Sequence, residues 1–297
     1  MTKKKKLLTS LAVTGVAALA LTGCAGGAEA GGDGSTDRPI TIAVFNGWDE
    51  GIAASELWKA VLEEQGYEVE LEYADPAAVY TGLSRGDYDL TLDTWLPITH
   101  AQYLERFGDD LVDLGAWNDE AKLTIAVNED APIDSLSELA ENADLFDDTL
   151  VGIEAGSGLV TVTQDDVIPG YGLEDMDFVV SSTPAMLTEL KSKTDAGENV
   201  AVTLWRPHWA YNAFPLKDLE DPEGLLGDAE SIHGTSSEQF EQDFPEVFAW
   251  LSAFEMDNDK LYSLEDAMFG EYDGDDFGPV VADWIAANQE WVDALTS

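Results

Sequence analysis

Twice along this chain, three short β-type runs alternate with two helix-type runs, and that rhythm constrains the fold more than any single residue does. In the first series Ile40, Ile42 and Val44 alternate as a half-buried strand does, Val69, Leu71 and Tyr73 do the same, and Leu90 and Leu92 mark a third run. Between the first two, Leu57, Trp58, Val61 and Leu62 recur at helical spacing with Gly66 placed as a C-cap. Between the second and third, Val79 and Leu83 anchor a short helix that ends before Gly86. The second series has a strand at Val151–Ile153, a helix from Ser157 to Ile168 and a strand at Phe178–Val180. A helix opened by Thr183 as N-cap and Pro184 at its first position then leads to a strand carrying Val200, Val202 and Leu204. Strands that alternate with helices bury their faces best in sheets covered by those helices. The expected fold is therefore α/β and two-lobed, each lobe a sheet flanked by helices.

The remaining segments fill in that plan. Leu123–Val127 is a strand candidate at the crossover between units, and the stretch from Asp218 to Ser231, with Pro222, Gly224 and Gly227, suits a return connection. From about Ser236 the chain reads as helices closing against the first lobe. Phe244, Phe248, Trp250 and Leu251 would supply one buried surface, and Trp284, Ile285 and Trp291 another. The expected division is a leader at 1–23, a tether at 24–38, a first lobe at 39–122 completed by 231–297, and a second lobe at 123–230.

The leader has its own chemistry. Lys3 to Lys6 form a basic region, Leu7 to Leu21 an apolar run, and Leu21-Thr22-Gly23-Cys24 a processing site, which is the layout of a secretory signal. The apolar run is shorter than the roughly 20 residues a membrane-spanning helix needs. The pattern resembles a bacterial lipoprotein signal, in which Cys24 is diacylated and becomes the first mature residue. The expectation is an extracytoplasmic protein anchored to the cell membrane through Cys24. Since Cys24 is the only cysteine, the folded part must be held together by core burial without an internal disulfide.

Sixty acidic against 14 basic residues give a formal net charge of -46, which argues against nucleic acid and against adsorption to anionic lipid. Hydrophobic residues at 45% exclude an acidic disordered chain.

Three of the nine tryptophans follow strands at their carboxyl ends, where open α/β sheets place ligands: Trp48, Trp95 and Trp205. A trimethylammonium group has no N–H to donate, so aromatic faces are the means of enclosing it, and tryptophan offers the strongest such face. Core packing explains any one of the three equally well. Trp58, Trp117, Trp250, Trp284 and Trp291 are assigned to packing. The turn Glu154-Ala155-Gly156-Ser157-Gly158-Leu159 joins a strand to a helix start and is either an ordinary tight turn or a place where backbone N–H groups hold an anion. Arg206 and His208 are set down as secondary support for a carboxylate or for their own loop. His100 and His208, without neighbouring cysteines, make no zinc site, and no Gly-Lys-Ser/Thr follows the glycine turn. No cofactor, metal or catalysis is expected.

On GWDEGIA at 47–53, DTWLPITH at 93–100, EAGSG at 154–158 and LWRPHWAY at 204–211, the chain resembles the glycine betaine/proline betaine-binding proteins of bacterial osmoprotectant ABC importers. The resemblance runs from Ile40 to the C-terminal helices. It implies that Trp48, Trp95 and Trp205 cage the ammonium group, while His100 and the amides of Gly158 and Leu159 hold the carboxylate of a small zwitterionic solute. It also implies a periplasmic-binding-protein-like fold with the ligand in the cleft between the lobes, closure of the two lobes over the solute, and a membrane permease as partner. Some family members carry the EAGSG-like and WRPHW-like segments first, a circular permutation of the order here, and some have isoleucine where this chain has Leu159. A choline- or carnitine-preferring receptor and a lipid-anchored sensory or structural protein without a transport role are the alternatives.

Overall fold

The strand–helix rhythm folds into two sheet halves joined by one long strand. The computed structural model describes residues 38–270, 272, 274 and 276–297. The leader, Cys24 and the tether as far as residue 37 lie outside the described residues. β1 (Ile40–Phe45), β2 (Val69–Ala74) and β3 (Leu90–Leu96) are parallel, in the order β2–β1–β3. β4 (Leu111–Asn128) follows. β5 (Thr149–Glu154), β6 (Asp177–Ser181) and β7 (Ala201–Arg206) repeat the arrangement as β6–β5–β7. Then come β8 (Leu216–Asp218) and β9 (Glu230–Ser237). The full order is β2–β1–β3–β9–β4–β7–β5–β6, with β8 on β4.

β1 is apolar because both of its faces are covered: every residue but Thr41 is buried, whereas edge strand β2 leaves Tyr73 45% exposed. The helix Asp49–Glu64 begins with two acidic residues where the helix dipole favours negative charge. It buries Leu57, Trp58, Val61 and Leu62, each side chain worth about 1.5–3 kcal/mol on removal from water. Its other neighbours are the helices Asn258–Glu265 and Gly278–Ala287, so the C-terminal helices do pack on the first half.

β4 has 18 residues, of which 123–127 are only the end. Its first part pairs with β9, and from Lys122 onward it pairs with β7, so one strand belongs to both halves. Register shifts along the β4–β9 ladder mark bulges, which bend a strand and raise its twist. The expected irregular return and helical start near Ser236 give way to β9, a strand through Ser237. Its sequence, Glu-Ser-Ile-His-Gly-Thr-Ser-Ser, lacks apolar alternation because hydroxyls are buried there in pairs. Thr235 Oγ1 donates to Thr94 Oγ1 at 2.9 Å, and Tyr80 Oη donates to the same atom at 2.9 Å.

Two helix ends differ from expectation. The cap of the helix Thr183–Ala196 is Ser182, whose hydroxyl accepts from Ala185 N–H, and Thr183 is already its first residue. The helix expected from Ser157 to Ile168 starts at Gly158 and runs on to Tyr171 through a π-helical turn at Thr163–Val167. Among the described residues, no helix is long and apolar enough to cross a membrane.

Candidate functional site

The carboxyl ends of β1, β3, β5 and β7 face one cavity of about 290 Å³, counting its mouth. Trp48, Glu50, Trp95 and Thr99 line it from the first half, and Leu123, Ile153, Ser157, Gly158, Leu159 and Trp205 from the second. The three strand-end tryptophans therefore meet, together with Gly158 and Leu159. There is no lysine or arginine among these lining residues, and the one titratable side chain facing the cavity is an acid, Glu50.

The motifs acquire physical reasons here. Gly51 sits one turn into the helix after β1, and a Cβ on it would fall 2.4 Å from Asp93 Oδ2. Only glycine lets β3 carry Asp93 so close behind the cage. Gly158 is the matching contact across the cavity, since its Cβ would lie 2.6 Å from both the carbonyl oxygen and Cγ2 of Thr99. Ser157 caps the helix by accepting from Val160 N–H at 3.2 Å. Gly158 and Leu159 are the first two helical residues, so their N–H groups have no carbonyl a turn back to donate to.

Each indole N–H at the site is held by a carboxylate. Trp95 Nε1 donates to Asp93 Oδ1 at 2.9 Å and Trp205 Nε1 to Glu50 Oε2 at 2.8 Å. Trp48 Nε1 donates to Glu154, and Trp209 Nε1 to Asp49 Oδ2 at 2.6 Å. Indole is a donor only, so a buried tryptophan needs an acceptor, and these acids orient the rings. Burial pushes the Glu50 carboxyl up to about 8 and that of Asp49 up to about 7, and holds Asp93 and Glu265 well above the carboxylate range. Neighbouring acids add to the effect: Asp49 acts on Glu50, and Glu50 acts on Asp93 and Glu265. A cation in the cavity would relieve that repulsion. Among the described residues, no group of three or more His, Cys, Asp or Glu side chains is arranged to hold a metal.

His100 is fully buried but does not line the cavity. It stacks on Trp48 with ring centroids 5.5 Å apart. Its Nδ1 accepts from Trp95 N–H at 2.8 Å, and burial lowers its pKa to about 3, so the neutral ring carries its proton on Nε2, which has no partner. His208 is built the same way: Nδ1 accepts from Ala210 N–H at 3.0 Å, burial lowers the pKa to about 3, and Nε2 stands 3.7 Å from Asp49. Arg206 turns away from the cavity. It pairs with Asp218 at 2.9 Å and lies 3.5 Å from the centre of the Tyr211 ring, supporting its own loop. Trp58 and Trp117 are packing residues at 0% and 3% exposure.

The sequence reading passed over Glu50, Thr99 and Ser157 on the cavity wall, and Trp209 and Glu154 behind it. All five stand inside the quoted motifs, but nothing local sets the acids apart from solvated neighbours.

Known proteins carry the same frame. Residues 38–287 match the family model described as the substrate binding domain of an ABC-type glycine betaine transport system. A glycine betaine/carnitine transport binding protein of Listeria monocytogenes is 32% identical over 174 residues, 56% of this chain and 55% of that protein, so the match spans about half of its length. A structure of lactococcal OpuAC, closed and complexed with glycine betaine, superposes with a TM-score of 0.81 at 25% identity, covering 88% of this chain and all of that one. A glycine betaine/L-proline-binding protein, ProX, of Borrelia burgdorferi gives a TM-score of 0.81 at 30% identity, covering 88% of this chain and 97% of that one. With its motif tryptophans gathered around one cleft and the family model matched from Arg38 to Ala287, the chain belongs to the substrate-binding domains of ABC-type glycine betaine transport systems.

Proposed function

We propose that this chain captures glycine betaine or proline betaine outside the cytoplasm and delivers it to a membrane permease of an ABC importer. The observation that carries the reading is the meeting of Trp48, Trp95 and Trp205, from both halves, around a cavity with an acidic wall and a free helix start. Three aromatic faces suit a trimethylammonium group, at roughly 0.5–2 kcal/mol per desolvated contact. The N–H groups of Gly158 and Leu159 suit the carboxylate at the other end, and His100, behind Trp48 and outside the cavity lining, holds an unpartnered Nε2–H as the further donor in this reading. Because the rings come from both walls, a bound solute favours the closed state over the open one, with β4 and the β8–β9 connection as the crossings between lobes. Cys24 is the lipid anchor in this reading.

Titration calorimetry with glycine betaine, proline betaine, carnitine, choline and proline tests it. Binding of the two betaines ahead of choline supports the reading, and a preference for choline overturns the role of the anion end. The anchor has a separate test, because Cys24→Ala should abolish lipid labelling and release exported protein from the membrane fraction. Unchanged lipid incorporation would dismiss it.

A further inference from the structure

Three of the four indole–carboxylate bonds cross the cleft, and they cross it in both directions. Trp48, after β1, donates to Glu154 at the end of β5. Trp205 at the end of β7 donates to Glu50, and Trp209 just beyond donates to Asp49, both acids lying in the first turn of the helix after β1. Trp95 alone is tied to an acid of its own strand. We propose that these three crossing bonds latch the two walls together, with Glu154, Glu50 and Asp49 as positioning residues that seat Trp48, Trp205 and Trp209.

The acceptors are well placed for that task. Asp49 and Glu50 are 7% and 1% exposed, so water cannot take over their acceptor role while the cleft is shut. Glu154 is held from its own half, accepting from Thr183 N–H at 2.9 Å and Thr183 Oγ1 at 3.1 Å. It therefore presents a fixed target to Trp48. An exposed crossing contact, Asn212 Nδ2 to Asp266 Oδ2 at 2.8 Å, lies where water competes and adds little. The Trp209–Asp49 pair is also outside the cavity lining, so it can act on closure without touching a solute. The latch is a statement about the walls. It rests on the betaine reading only for what the solute gains from it.

The Trp209–Asp49 pair gives the cleanest test. Trp209→Phe keeps a ring and removes the donor, Asp49→Ala removes the acceptor, and the double variant completes a cycle. Hydrogen exchange of the ligand-free full chain is read first. The latch predicts exchange about ten-fold faster at residues 47–52 and 155–160, unchanged exchange in β1 and β5, and a double variant no worse than the singles. Glycine betaine kinetics are read second. The latch predicts a dissociation rate about ten-fold higher with association unchanged, because encounter happens in the open state. Wild-type exchange at both segments, or effects that add in the double variant, would overturn it. Faster exchange at the two segments in a protein whose wild type binds no betaine would uphold the latch and dismiss the solute reading. The converse result, tight betaine binding with unmoved exchange, would do the opposite.

Discussion

The loops after β3 and β7 use the same local parts on opposite walls of the cleft. Each has a tryptophan at the strand end, a cis X-Pro bond close behind it (Leu96–Pro97 and Arg206–Pro207), and a fully buried histidine whose Nδ1 accepts a backbone N–H. They differ in what the ring and the histidine face. Trp95 is tied to its own strand and His100 stacks behind a cage ring, whereas Trp205 is tied to the opposite wall and His208 stacks on Trp209 beside Asp49. One loop is a finished surface that a solute can meet. The other is completed only by its partner wall. In the proposed reading the same residue types serve recognition on one side and closure on the other.

The largest expected effect comes from removing cage rings. Trp48→Ala, Trp95→Ala and Trp205→Ala should each weaken glycine betaine by about 1–3 kcal/mol, through lost cation–π attraction and apolar contact. Two removals together should be less than additive, since the first admits water to the methyl groups. Trp→Phe separates the two loops: at Trp205 it also breaks the tie to Glu50 and should cost more than at Trp95. Calorimetry paired with the ligand-free Tm decides the matter. Alanine variants that lose stability but keep wild-type affinity would reduce all three rings to packing.

The histidines sharpen the contrast further. His100→Ala should weaken glycine betaine by about 1.5–3 kcal/mol and choline far less, because a lost donor to a carboxylate matters only to a ligand that has one. His208→Ala should weaken the two solutes equally. Equal losses at His100 as well would show that it acts through the seat of Trp48 alone.

The last comparison is a pH dependence. Glu50 faces Asp49, Asp93 and Glu265 as well as the indoles of Trp95 and Trp205, and burial raises its folded pKa to about 8 from the ordinary 4.5. The folded protein therefore holds a proton that the unfolded chain releases. The stabilisation is complete below about pH 4.5 and is lost as pH rises through 8. The ligand-free Tm of the wild type should fall across that window relative to Glu50→Gln, by roughly 2–4 °C for each kcal/mol of linkage lost. Parallel Tm curves for the two proteins would remove Glu50 as the titrating group.

The two β-α-β-α-β units were legible in the sequence because their strands carry short apolar runs or alternation and their helices keep a clear period. β9 was not, since its buried side chains are hydroxyls satisfied by Thr94 and its neighbours, a pairing visible only once β3 lies alongside. The long reach of β4 was hidden too. Val112-Asp113-Leu114-Gly115 does not announce a strand until β9 supplies the ladder. At the site, the aromatic residues were legible from their place at strand ends. Their acids were not, because among 60 carboxylates nothing local distinguishes Glu50 or Glu154 from a solvated neighbour. The three-dimensional meeting of distant segments, Trp209 with Asp49 for example, carries no local signature.

The chain passes between the halves within β4 and again between β8 and β9. Two free bodies meeting through three hydrogen bonds would separate at once, since association costs roughly 4–15 kcal/mol in lost translation and rotation. Walls already joined by two covalent crossings face each other at an effective concentration of the order of mM or more, so contacts too weak to make a complex suffice to choose between open and shut. Sharing β4 therefore keeps closure reversible: the cleft can be held by bonds weak enough to let the solute go.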